Sequence, residues 1–287
     1  MDTLLRGTGG TIRLTNYDST EALANAGAGN ASVAVADSAG IVIAGSPLVG
    51  TNVSTGTYEA QVPAALAVLD EYTATWTMPD ATTRTTHFAL SGGFYFTIAD
   101  LRAFDVQLSD PTTQTTDKLR KIRAAVEERF EGEQGAAIAF VPRGKRLTRD
   151  GTGKKSIMLP DLLITKVVSV TIAGVALSAP DLAGILPYAH GQLVRTNGLW
   201  TFGQRNIVIQ YEYGFDECPE MVAQVAKVYA RHLALTSGSA FSDRATAQMT
   251  DAGNFRLTIA GRDGVTGLPE VDAVLDQFGG RTSGALA

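Results

Sequence analysis

Short runs with two-residue alternation fill the first ninety or so residues. Tyr72, Ala74, Trp76 and Met78 alternate with Thr73, Thr75 and Thr77, so one face of a strand is apolar and the other polar. Comparable runs lie at Gly10–Leu14, Ala31–Ala36, Gly40–Ala44, Thr57–Val62 and Thr82–Leu90, separated by Gly, Ser, Asn and Asp. Short strands at this spacing predict a small antiparallel all-β sandwich over residues 1–93, with Tyr58 and Trp76 as core anchors.

After Ser91-Gly92-Gly93 the period changes. Thr97 followed by Asp100 predicts an N-capped short helix over about 97–104. Leu119, Ile122, Val126 and Phe130 line one stripe of a helix over about 116–131. Lys118, Arg120, Lys121, Arg123, Glu127, Glu128 and Arg129 take the remaining surface, and Gly132 sits at a C-cap position. A β insertion over about 157–213 follows as a meander, with Asn197-Gly198 its strongest hairpin signal and Ile207–Tyr213 its last strand. Pro219 opens a helix over about 219–235 that is apolar on more than one side. A strand-like Phe255–Ile259 and a Pro269-led helix over about 269–278, ended by Gly279-Gly280, complete the pattern. The fold class read from this order is α+β in two domains, 1–93 and 94–287.

Composition narrows the picture. At 287 residues, 45% hydrophobic and 18% charged, the chain has apolar material for two cores. Its net charge of −5 falls wholly on Met1–Phe96, with eight acids against three bases, leaving 21 of each sign beyond. This is not the one-signed basic field of a protein that grips nucleic acid tightly. Cys218 is the single cysteine, which excludes an intramolecular disulfide and a cysteine-rich zinc site. The expectation is a chain with no export signal and no membrane span, assembled in a reducing cytosol.

Catalytic patterns are missing from the sequence. Gly151-Thr152-Gly153-Lys154-Lys155-Ser156 fails as a phosphate loop, because Lys155 stands where Ser or Thr should follow the lysine and Thr148 replaces the first glycine. The bases Arg143, Lys145, Arg146, Arg149, Lys154 and Lys155 read as a solvated loop between helix and sheet, or as a contact to an acidic neighbour or to passing DNA. His87, His190 and His232 have no metal-ligand spacing, no GxSxG is present, and Cys218 beside Pro219 reads as a helix-start residue. Asp70-Glu71, Glu127-Glu128 and Asp216-Glu217 read as surface carboxylates. The expectation is a protein that is not an enzyme and holds no cofactor or metal.

Two resemblances can now be placed on residues. Gly56-Thr57-Tyr58 and the surrounding strands are similar to an immunoglobulin-like module. Phe96–Leu101, Arg123–Phe130, Phe140-Val141-Pro142-Arg143, Tyr211–Gly214 with Pro219, Gly253–Leu257, Gly267-Leu268-Pro269 and Val274–Phe278 follow one another as in the head-to-tail connector (adaptor) family of long-tailed bacteriophages. This resemblance covers about Phe94 to Arg281 and leaves out the N-terminal module. It implies a virion structural protein at the neck, forming a ring of twelve subunits below the portal protein. The implied neighbours are tail-side neck proteins, a stopper or tail terminator, with double-stranded DNA passing non-specifically. On that basis Val271, Val274, Leu275, Phe278 and Arg281 are candidate portal contacts, and Met221, Val225, Val228 and Tyr229 candidate contacts between subunits. The alternative is a decoration or host-surface glycan-binding protein acting through the immunoglobulin-like domain.

Overall fold

The computed structural model describes residues 2–133, 138–236, 247–250, 253–256 and 266–283. The fold is α+β and rich in strands. The chain divides into two compact units, Met1–Gly93 with Val141–Asp216, and Phe94–Phe140 with Glu217–Ala287. The predicted boundary near Gly93 is thus one edge of a unit that resumes at Val141.

The first unit begins with β1 (Asp2–Leu5), β2 (Gly10–Thr15), β3 (Ala31–Ala36), β4 (Leu48–Ser54), β5 (Thr57–Val62), β6 (Glu71–Thr77) and β7 (Thr83–Ser91). All seven belong to one sheet in the order β1-β7-β6-β3-β4-β5-β2, with β1 parallel to β7. An antiparallel bridge from Leu5 to Gly9 brings the two edges together, so the sheet is nearly closed. Its inward residues, including Val33, Val35, Tyr58, Tyr72, Ala74, Trp76 and Phe88, form one core.

This differs from the predicted sandwich of two stacked sheets, and β4 is the reason. It pairs with β3 on one side and β5 on the other, and so joins strands that would otherwise belong to separate layers. Its Gly50 lies against the Trp76 ring, where an added Cβ would come within 2.9 Å of the indole. The predicted strand at Gly40–Ala44 reduces to a single bridge between Ala36 and Val42.

The β insertion supplies β8 (Arg143–Gly151), β9 (Ser156–Met158), β10 (Ile164–Ile172), β11 (Val175–Ala176), a short helix Ala179–Ala183, β12 (Ile185–Pro187), β13 (Gln192–Arg195) and β14 (Gly203–Tyr213). They form a four-stranded sheet, β11-β10-β14-β8, and a three-stranded one, β12-β13-β9. A core of Ile157, Leu193, Trp200, Ile207, Ile209, Tyr211 and their neighbours lies with them. Asn197-Gly198 does not make the predicted hairpin. Arg195 reaches the Leu199 carbonyl at 2.5 Å, Trp200 is buried, and the next strand starts at Gly203 to pair with β8 and β10.

The insertion is fixed to the N-terminal sheet by buried polar contacts. Asp70, 3% exposed, accepts from Ser38 Oγ at 2.6 Å and from Gln210 Nε2 of β14 at 3.1 Å. Arg6 pairs with Glu212 at 3.0 Å. The Gly92 amide donates to the Pro142 carbonyl at 2.9 Å. Gly144 runs so close to Leu69 that a Cβ would fall 1.7 Å from its carbonyl oxygen. Asp70 is therefore an anchor here, not the surface carboxylate expected from sequence.

The second unit is mostly helical, with α1 (Ile98–Phe104), a 3-10 turn at Val106–Leu108, α2 (Thr116–Glu133), α3 (Glu220–Thr236), a hairpin of β15 (Ala247–Thr250) with β16 (Gly253–Arg256), and α4 (Pro269–Ser283). Thr97 and Asp100 form a reciprocal capping box, whose hydrogen bonds hold the Asp100 carboxyl below its ordinary range. Asp105 caps the 3-10 turn through the Gln107 amide and also accepts from Arg231 of α3. Part of the predicted strand Phe255–Ile259 lies outside the described residues. Gly132 stays inside α2, and Gly279-Gly280 stay inside α4, so neither ends a helix as predicted. A glycine ends a helix where it takes the left-handed conformation itself, and inside a helix it does not.

Candidate functional site

The β8–β14 ladder places most of the candidate basic residues, and it splits them. β8 is a strand and not the expected solvated loop, so its side chains alternate between faces. Lys145 bonds the fully buried Asp161 at 3.0 Å, and Asp161 also accepts from the buried Tyr211 hydroxyl. Burial, first, and that hydrogen bond push the Tyr211 phenol far above its ordinary range. Lys145 is thereby committed to structure. Arg143 is half-buried at the start of the strand, and Arg146 is exposed.

Of the remaining candidate bases, Arg149 and Lys154 meet at the far end of the ladder, while Lys155 is exposed and not among the residues lining the groove there. Arg149, Lys154 and Arg205 line an open groove of about 670 Å³ together with Thr152, Ser156 and Met158. Arg149 donates to the Met158 carbonyl at 3.1 Å, which holds its guanidinium along the rim. Arg205 was not foreseen. It is brought there by a backbone turn in which its amide donates to Asp150 at 2.6 Å, while Asn206 bonds the Gly151 amide at 2.9 Å and the Thr201 carbonyl at 2.9 Å. The signal in sequence is only Asp150 and Asn206, residues that favour turn chemistry on the two strands that pair.

The groove is not a phosphate cradle of the looped kind. The Gly153 amide donates to the Trp200 carbonyl at 2.7 Å and the Lys154 amide to Thr152 Oγ1 at 3.3 Å, so both amides are already engaged within the chain. The segment links β8 to β9, whereas a phosphate loop leads into a helix whose amides face the ligand.

In the helical unit, α3 buries Val222, Ala226, Ala230 and Ala234, a stripe of small residues four apart. The candidate inter-subunit residues lie beside it. Met221 is exposed, while Val225, Val228 and Tyr229 are half-buried, and the Tyr229 ring stacks on Phe130 at 6.0 Å. The candidate portal contacts are largely occupied within the chain. Val271 and Leu275 are buried, Val274 is half-buried, and Phe278 meets Phe140 edge-on at 5.2 Å. A helix with so long an apolar stripe buries it against the nearest helix of its own chain before any partner arrives. Arg281 lies in α4.

Arg123 and Glu127, expected on the charged face of α2, are both buried. The Arg123 guanidinium lies 3.4 Å from the Phe94 ring centre and 4.0 Å from Glu127, and Glu127 accepts from the Tyr95 amide at 3.3 Å. Burial, with Glu127, Glu220 and Glu131 adding to it, pushes the Cys218 thiol up to about 12, which disfavours the thiolate. His87 meets Thr73 at 3.2 Å, His190 meets Gln192 at 3.2 Å, and the His232 ring stacks near Tyr229. Among the described residues no three His, Cys, Asp or Glu converge as a metal site would require, and no helix is long and apolar enough to cross a membrane.

These features define a strand-rich α+β protein with a basic, open groove at one end of a β-ladder. No protein-family profile matches the chain, and no curated protein does. Among solved structures it is similar to a chain described as the neck of an empty GTA particle computed with C6 symmetry. That similarity covers 52% of this chain and 82% of the other, at 15% identity and a TM-score of 0.38.

Proposed function

We propose that this chain is a structural subunit of the neck of a long-tailed phage particle, a head-to-tail adaptor that closes into a ring below the portal and lets double-stranded DNA pass. The observation that carries this reading is the order of the helical unit. It opens with Phe94–Phe140, gives way to the β excursion Val141–Asp216, and resumes at Glu217. The motifs that resemble the adaptor family fall in that same order. Phe104, Val106 and Met221 remain exposed on the helical unit, as suits a subunit that packs beside its copies. The residues act by packing and not by chemistry, and no cofactor is needed. The alternative of a free-standing glycan-binding module is served less well, because the N-terminal sheet is tied to β14 through buried Asp70 and Gln210.

The test is native mass and electron microscopy of the full chain, alone and mixed with the portal protein of its own particle. The expected result is a closed ring, with twelve copies as the family resemblance implies. A chain that stays monomeric in both conditions would sink the proposal.

A further inference from the structure

Among the exposed apolar side chains of the first unit, two groups sit in surroundings of opposite charge. At one end Phe202 is 83% exposed beside Leu199, in the same loop cluster as Arg149, Lys154 and Arg205. Asp150 is the one acid lining that groove, so this end is basic. At the other end is the loop after β2. There Tyr17 and Leu23, 55% and 49% exposed, are held together by a bridge, and the exposed Asp18 and Glu21 lie between them. The Asp18 carboxylate accepts from the Thr20 and Ala22 amides, so this loop has a built shape.

Topology places these patches apart. The joint between the sheets lies at the Glu212 end of β14 and the Leu5 end of β1, where Arg6 meets Glu212. Phe202 precedes the opposite end of β14, ten residues from Glu212, which at about 3.3 Å per residue is at most roughly 33 Å from the joint. Gly10 starts β2 beside Leu5, and Tyr17 follows the far end of that six-residue strand. One copy therefore cannot satisfy its own patches, and a second can. Opposite charge around exposed aromatic and aliphatic side chains is what a head-to-tail contact needs.

We infer that the Phe202 tip of one copy docks on the Tyr17–Leu23 loop of the next copy, with Lys154 and Arg205 facing Asp18 and Glu21. This rests on the reading of the chain as a self-assembling subunit and assigns the surfaces it uses. It gives the acidic N-terminal sheet a role in assembly and makes the contact heterologous, the kind that closes rings.

The experiment uses the full chain and a charge swap, read by light scattering at low and high salt. One variant carries Lys154→Glu with Arg205→Glu. The other carries Asp18→Asn, which keeps the turn's acceptor oxygen, with Glu21→Lys. Each variant alone should lose self-association, and an equimolar mixture should regain it, because each then offers the surface the other lacks. Phe202→Ser should weaken association by about thirtyfold, the effect of a central aromatic anchor. Wild-type assembly that survives both variants would overturn the docking assignment and leave the neck reading standing. A wild-type chain that is monomeric even with portal would overturn both. Variants that lose duplex DNA binding while assembling normally would assign the tip to nucleic acid and overturn the contact between copies.

Discussion

The side-chain amide of Gln210 donates to the carboxylate of Asp70 at 3.1 Å, joining a residue of the last insertion strand to one 140 positions earlier in the chain. Asp70 also accepts from the Ser38 amide and hydroxyl and the Glu71 amide, so one buried carboxylate organises the junction. Removing the hub strands several donors, whereas removing Gln210 strands one acceptor site. Asp70→Ala should therefore cost about 2–4 kcal/mol and Gln210→Ala about 1–2 kcal/mol. Trp76 and Trp200 both lie in this unit, so urea unfolding followed by tryptophan fluorescence reads it directly. Equal effects of the two substitutions would show that Asp70 is not the hub.

Two glycines should respond in opposite directions to alanine. At Gly144 the new methyl would meet the Leu69 carbonyl oxygen at 1.7 Å, backbone against backbone, and Gly144→Ala should destabilise by about 3 kcal/mol or more. At Gly132, inside α2 with nothing within 4 Å, Gly132→Ala should stabilise by about 0.5–1 kcal/mol. Thermal melts followed by circular dichroism check both. A loss of stability at Gly132 would mean that it caps the helix after all.

Alkaline pH should weaken the fold, beginning at Cys218. Its thiol is raised from an ordinary value near 9 to about 12, because burial and nearby Glu127, Glu220 and Glu131 disfavour the thiolate. A raised folded value means that its contribution is complete below the unfolded value and declines from about pH 9 towards pH 12 as the unfolded chain sheds its proton first. Tyr72 and Tyr211, also raised chiefly by burial, act in the same direction above pH 10. Native protein at pH 8 should react with a thiol reagent far more slowly than the urea-unfolded chain, and Cys218→Ser should flatten the first part of the alkaline decline. Fast labelling of the native protein would contradict the assignment.

The terminal helix should matter for stability before it matters for any partner. Leu275 is 2% exposed and Val271 fully buried, so Leu275→Ala should cost about 2–5 kcal/mol in the helical unit. Truncation after Gly267 should lower the melting temperature of the helical signal even with no portal present. If it leaves melting unchanged and removes portal binding, the stripe belongs to the partner.

Local patterns determined much of this protein. The alternation at Tyr72–Met78, the Thr97–Asp100 capping box, the stripe Leu119-Ile122-Val126-Phe130 and the prolines at 219 and 269 depend on neighbours within a few residues, and each element formed where its period placed it. Tertiary structure decided what depends on distant partners. Whether strands stack in two layers or join in one sheet turned on β4, whose Gly50 and Asn52 break the alternation and whose pairing is set by Trp76 and the β3 and β5 edges. The basic run at 143–155 carried no sign that Lys145 would be drawn to Asp161 while Arg149 and Lys154 met Arg205, because that grouping comes from the register of β8 on β14. The burial of Asp70, Arg123 and Glu127 was equally hidden. A charged residue looks solvated in sequence, and only the partner that offsets its desolvation, in the fold, allows it inside.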